Sequence, residues 1–98
     1  MKTTKEIIQE ARALIQAGWC QGANHKQIAG RDHYCLRGAI LKSLGNDAFI
    51  QLGWSRNYTD VLRALKNETG KDIIVFNDAV AKDKRQVLRT LDRVIGNL

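Results

Sequence analysis

Near its two ends the chain repeats one apolar spacing. Ile7, Ile8, Ala11, Leu14 and Ile15 fall at i, i+1, i+4, i+7 and i+8, and Val87, Leu88, Leu91, Val94 and Ile95 repeat the same offsets. A helix of 3.6 residues per turn gathers such a set into one stripe that must be buried. In a chain of 98 residues the stripes can only meet each other, the rest of one small domain, or a second copy. Proline, the commonest helix breaker, is absent. The spacing predicts a first helix capped by Thr4 and stopped by Gly18. It predicts a last helix opened by Asp83, with Gln86 three residues on as in a capping box, and closed by Gly96.

The intervening sequence is less regular. Asp32 is a good N-cap for a second helix whose packing face is Cys35, Leu36, Ala39, Ile40, Ser43 and Leu44, ended by Gly45. Gly38 inside that helix costs about 1 kcal/mol relative to alanine. Its presence predicts a close approach by a neighbouring helix or an indole. Thr59 caps a third helix with Val61, Leu62 and Leu65 inward, and Gly70 ends it. "NDAFIQLGW", with Phe49, Ile50 and Leu52, fits either a helical turn or an extended piece. "DIIVF" is β-branched and reads as a short strand, although no partner strand is evident. The expectation is a mainly α fold: one compact domain over residues 1–98, about four helices, and one short extended segment near residues 72–76.

An apolar fraction of 44% and a charged fraction of 27% belong to a globular chain. No run of about 18 apolar residues is present, so no membrane span is expected. Glu6, Glu10 and Arg12 interrupt the apolar residues of the first segment, which argues against a signal peptide and for a cytoplasmic protein. Two cysteines are too few for a disulfide framework. A net charge of +6 favours anionic partners.

Both cysteines and both histidines lie in one stretch, "GWCQGANHKQIAGRDHYCLRGAI", from Gly18 to Ile40. Cys20, His25, His33 and Cys35 are ligand types that suit zinc, but C-x4-H followed by H-x-C lacks the tight pairs of zinc sites, and no metal or other cofactor is assigned. A thiol enzyme would need Cys35 activated by His25 or His33 with Asp32 as orienter; no surrounding signature supports it, and no catalytic residue is assigned. The favoured reading makes the thiols packing atoms that lock neighbouring helices, with His25 and His33 at the surface.

"AGWCQGA", "CLRGAI" and "FNDAVAKDKRQVLRTLDRVI" together resemble a domain family of bacteria and phages with no established activity. Its pattern is Trp-Cys-x-Gly-Ala, then Cys-x-x-Gly-Ala, then an aromatic-Asn-Asp before a helix reading V-L-x-x-L-D-x-x-I. The matching positions are Trp19, Cys20, Gly22 and Ala23, then Cys35, Gly38 and Ala39, then Phe76, Asn77 and Asp78, then Val87, Leu88, Leu91, Asp92 and Ile95. Phe76 stands where the family more often has tryptophan. The resemblance implies a shared fold and a phage or mobile-element origin.

Brought together, Trp19, Cys20, Cys35, Asn77 and Asp78 make either a buried polar joint, with Asp78 bonding loop amides or Arg31, or a small pocket for a ligand or partner. The last helix also carries Arg85, Arg89 and Arg93 one turn apart, a basic surface stripe. The leading expectation is a small non-enzymatic binding protein, a phage-type accessory protein that engages a host protein or sequesters a small anionic ligand, with a homodimer as a reasonable assembly. Nucleic-acid binding through the arginine stripe ranks second, and a cysteine-dependent enzyme third.

Overall fold

The first helix, α1 (Thr4–Ala17), starts one residue earlier than the spacing predicts. Thr3, not Thr4, is its N-cap: the Thr3 hydroxyl accepts from the Glu6 amide at 3.1 Å, and the Glu6 carboxylate accepts from the Thr3 amide at 3.0 Å. The capping box satisfies two otherwise unpaired donors. The computed structural model describes residues 2–50 and 56–98. After α1 come β1 (His25–Ile28), β2 (Arg31–Tyr34), α2 (Leu36–Ile50), α3 (Arg56–Thr69), α4 (Ile73–Val75), a π-helical turn (Phe76–Val80) and α5 (Lys84–Gly96). The mainly α expectation holds. No helix of the described residues is long and apolar enough to cross a membrane.

The two stripes read from the sequence form the centre. Ile7, Ile8, Ala11 and Ile15 of α1 and Val87, Leu91 and Val94 of α5 are buried in one cluster with Leu36, Ala39, Ile40, Val61, Leu65, Ile73 and Phe76. α1 and α5 run antiparallel. Arg12 clasps the Asp92 carboxylate with Nε at 2.6 Å and a terminal nitrogen at 3.2 Å, and Lys84 donates to the Gln16 carbonyl at 2.9 Å. α1 is tied to α2 through Ser43, whose hydroxyl bonds the Ile7 carbonyl and the Glu10 carboxylate. Asp83 opens α5 as expected, accepting from the Gln86 amide at 2.9 Å, while the Gln86 side chain reaches back to the Lys82 amide.

Three sequence expectations are corrected. Residues 73–76 of the 72–76 segment are helical, not extended. Asp72 caps the segment by accepting from the Ile74 amide, and Ile73, Phe76 and Asn77 are buried at helical spacing, so burial overrides the β-branched preference. α2 begins at Leu36, because Asp32 lies in an antiparallel hairpin with register His25↔Tyr34, Lys26↔His33, Gln27↔Asp32 and Ile28↔Arg31. Ala29 and Gly30 form its two-residue turn, both with positive φ (52° and 76°). Thr59 lies inside α3 rather than at its cap. At Gly45, as expected, the helical backbone is interrupted (φ 84°, ψ 176°), so Leu36–Ile50 comprises two helical stretches that meet at a kink there. Of the ambiguous "NDAFIQLGW", the backbone is helical to Ile50, and Leu52 lies outside the described residues.

Gly38 is explained by backbone rather than by a helix or an indole. A Cβ there would overlap the carbonyl oxygen of Asn24 and lie 2.7 Å from its carbonyl carbon. The loop entering the hairpin thus lies directly on α2. Alanine at position 38 gains helix propensity but must displace that loop, so Gly38→Ala is expected to lower the unfolding free energy by roughly 1–3 kcal/mol. Gly96→Ala, with open space around it, should stay within about 0.5 kcal/mol of the parent. Urea unfolding of both variants checks this, and an unchanged midpoint for Gly38→Ala would contradict the contact.

Candidate functional site

Asn77 sits in the π-helical turn with 0% exposure. The turn closes with the Ala81 amide on the Phe76 carbonyl at 2.8 Å, one residue wider than an α-turn. It delivers the Asn77 carboxamide between the end of α1 and the start of α2. There Oδ1 accepts from the Trp19 indole N–H at 2.8 Å and from the Leu36 amide at 2.9 Å. Nδ2 donates to the Cys20 carbonyl at 3.1 Å and to the Asp78 carboxylate at 2.8 Å. All four hydrogen-bonding positions of the amide are therefore filled. The opposite amide orientation would set NH2 against two donors, so the network fixes the assignment.

The neighbouring residues complete the joint. Asp78 also accepts from the Gly22 amide at 3.1 Å; Arg31 plays no part in its recorded bonds. Gln21, which the sequence analysis did not single out, donates to the carbonyls of Asn77 at 2.9 Å and Ala81 at 3.2 Å. Trp19 and Tyr34 form a parallel bridge, with Tyr34 donating to the Gly18 carbonyl and Cys20 donating to the Tyr34 carbonyl. A Cβ at Gly18 would overlap the Asp32 carbonyl, so glycine is required there by close approach; its φ of −174° is ordinary extended backbone. The structure thus brings Trp19, Cys20, Cys35, Asn77 and Asp78 together.

Both thiols are buried. Cys35 occupies the capping position expected for Asp32. Its carbonyl accepts the first helical bond from Ala39, and its sulfur accepts from the Gly38 amide at 3.3 Å while donating to Asn24 Oδ1 at 3.6 Å. Burial pushes the Cys35 thiol up from its ordinary pKa, outweighing the opposing bonds from the Gly38 and Arg37 amides. Burial likewise pushes Cys20 up, with the neighbouring Cys35 adding to it. Its sulfur lies 3.5 Å from the carbonyl oxygens of Ala23 and His33. Both groups are thus held as neutral thiols, the unreactive form.

The imidazoles are engaged in the hairpin. His25 Nε2 lies 2.8 Å from Asp32 Oδ1, a bond that, ahead of one from Gln27, lowers the Asp32 carboxyl below its usual range. His25 stacks tilted on Tyr34 at 4.9 Å, and His33 Nδ1 bonds the Arg31 carbonyl. Among the described residues no three His, Cys, Asp or Glu side chains gather in a group that could hold a metal ion. On α5, Arg85 and Arg89 are exposed, whereas Arg93 is drawn to Glu68 of α3 at 3.4 Å.

With this geometry in hand, comparison places the chain: a model for a family of unknown function, DUF6197, matches residues 1–97. The chain belongs to DUF6197. No curated protein and no solved structure matches it. For DUF6197 the polar joint at Asn77 is therefore the feature this chain offers for explanation, and its first property is internal saturation. Among the described residues no buried side-chain nitrogen or oxygen lacks a partner.

Two predictions follow from the joint. Asn77→Ala leaves the Trp19 indole, the Leu36 amide and the Cys20 carbonyl unpaired. At about 1–3 kcal/mol for each buried orphan, it should cost roughly 3 kcal/mol or more. That lowers Tm by at least about 12 °C in a domain of this size; Trp19→Phe, which removes one donor, should cost less. For the thiols the linkage sign is set by their raised pKa values. The unfolded chain ionises first, so stability is intact below the unfolded thiol pKa of about 8.5. Above it, stability falls by up to about 1.4 kcal/mol per pH unit per thiol. Urea midpoints of Cys20→Ala/Cys35→Ala should be flatter between pH 8 and 10 than those of the parent, and equal slopes would count against burial of the thiols.

Proposed function

We propose that the protein is a non-enzymatic binding module that engages an anionic partner with its outer surface. The observation that carries this reading is the saturated Asn77 carboxamide. The cluster in which the sequence concentrates its chemistry directs its hydrogen bonds within the chain, and its two thiols are buried and held neutral. Outward, the molecule offers mainly the side chains of the hairpin and of the helices, with a net charge of +6. Such a surface attracts acidic protein faces and phosphates and speeds their encounter.

An outer surface is better supported than a pocket floored by Trp19, because the indole N–H, Asn77 and Asp78 bond one another and the loop of Gln21 and Gly22. The reading carries with it an accessory role in the cytoplasm, of the phage or mobile-element type that the family pattern suggests, with a host component as partner.

The test is affinity capture with the tagged protein, paired with native mass spectrometry of the complex. The captured partner should be acidic and should be released by about 0.5 M salt, where exposed charges are screened within a few ångströms. A folded Cys20→Ala/Cys35→Ala variant should retain it. Loss of the partner from that folded variant, or a partner that survives high salt, would overturn the reading.

A further inference from the structure

The hairpin has two unlike faces. Cross-strand partners share a face, so the register sets His25, Gln27, Asp32 and Tyr34 on one side and Lys26, Ile28, Arg31 and His33 on the other. Both sides pack against the chain at their base, His33 of the second side with its ring beside Gly18. Tyr34 of the first side is half-buried and packs against the core beside Trp19, and that side's acid, Asp32, is bonded to His25 and Gln27. The second side contains no carboxylate. Lys26, Ile28 and Arg31 are exposed, Ile28 at 49%.

The start of α5 lies at the same end of the molecule. Gln21 and Gly22, which lead into the hairpin, bond Asn77, Ala81 and Asp78, and Ala81 immediately precedes Lys82. Lys26 reaches back over this strap; its ammonium lies 4.0 Å from where a Cβ on Gly22 would stand. The two carboxylates here, Asp78 and Asp83, are exposed but hydrogen-bonded within the chain: Asp78 to Gly22 and Asn77, and Asp83 to the Gln86 amide as the cap of α5. Among the described residues Lys26, Arg31, Lys82 and Arg85 make no ion pair, a property they share with cations elsewhere such as Lys5 and Lys66; what sets them apart is that they gather at one end of the molecule.

We propose that this end is a docking surface for duplex DNA: the hairpin enters the major groove with Ile28 facing the bases, Lys26 and Arg31 reach the phosphates that line the groove, and Lys82 and Arg85 each hold a flanking phosphate. The proposal rests on the anionic-partner reading above and names the partner class. Duplex DNA is favoured over an acidic protein face by shape together with charge. Two strands about 4.8 Å apart fit a groove about 12 Å wide, and four residues per strand span about 13 Å, more than the groove's depth of about 8.5 Å. The exposed Ile28 suits a thymine methyl, and the guanidinium fork of Arg31 suits a phosphate.

The test is fluorescence anisotropy of the whole protein with a labelled mixed-sequence DNA duplex between 50 and 200 mM salt. Four phosphate contacts predict a log–log salt slope near −3.6. Lys26→Glu/Arg31→Glu should weaken binding at least tenfold and flatten the slope by about 2. Lys5→Glu/Lys66→Glu alters net charge equally on exposed positions outside this surface and should keep the slope. Circular dichroism confirms that both variants fold. Equal losses in the two variants would reduce the effect to net charge and overturn the assignment. Absence of binding at 50 mM salt, or tighter binding to poly-glutamate than to DNA, would also overturn it. Either result leaves salt-sensitive capture of another anionic partner intact, so the two readings fail separately.

Discussion

One carboxamide decides how the segments of this chain meet. The two helical stripes supply most of the buried apolar surface, and burial of that kind is directionless. The Asn77 amide adds direction. It accepts from Trp19 and from Leu36 and donates to Cys20, so the end of α1, the strap into the hairpin and the start of α2 are held at one point by bonds of 2.8–3.1 Å. The partners are backbone groups and an indole with 0% exposure at the hub itself. Buried polar groups in such a place are costly when unpaired and specific when paired.

The π-helical turn is the geometric condition for this. The wider turn keeps Phe76 and Asn77 inward and returns the chain at Ala81, where Gln21 fastens it. The same arrangement places the hairpin. The Asn24 carbonyl sits where Gly38 leaves room, Cys35 caps the start of α2 beneath it, and the ribbon projects with β1 wholly exposed. The cationic hairpin end is the surface that the joint orients.

What the sequence reveals follows from how local each signal is. The stripes of α1 and α5 are legible because their period is set by the helix itself. The hairpin is not, since its strands are short and polar and its turn uses Ala29 rather than the asparagine or aspartate expected before glycine. Residues 72–76 look extended by composition, and only contact with the core makes them helical. The members of the joint are visible as Trp-Cys and Asn-Asp pairs, yet their roles depend on partners about 57 residues apart. Gln21 carries no signal of its own, and neither does Asn24, whose carbonyl explains Gly38.

Hydrogen exchange followed by NMR reads the joint most directly. The account predicts that the Leu36 amide, the Trp19 indole N–H and the Asn77 side-chain amide exchange together with the core amides of Ile40 and Leu91, through global unfolding. Exchange of those three groups at the rate of exposed loops, with Ile40 and Leu91 still protected, would show that the segments are held together by apolar packing alone.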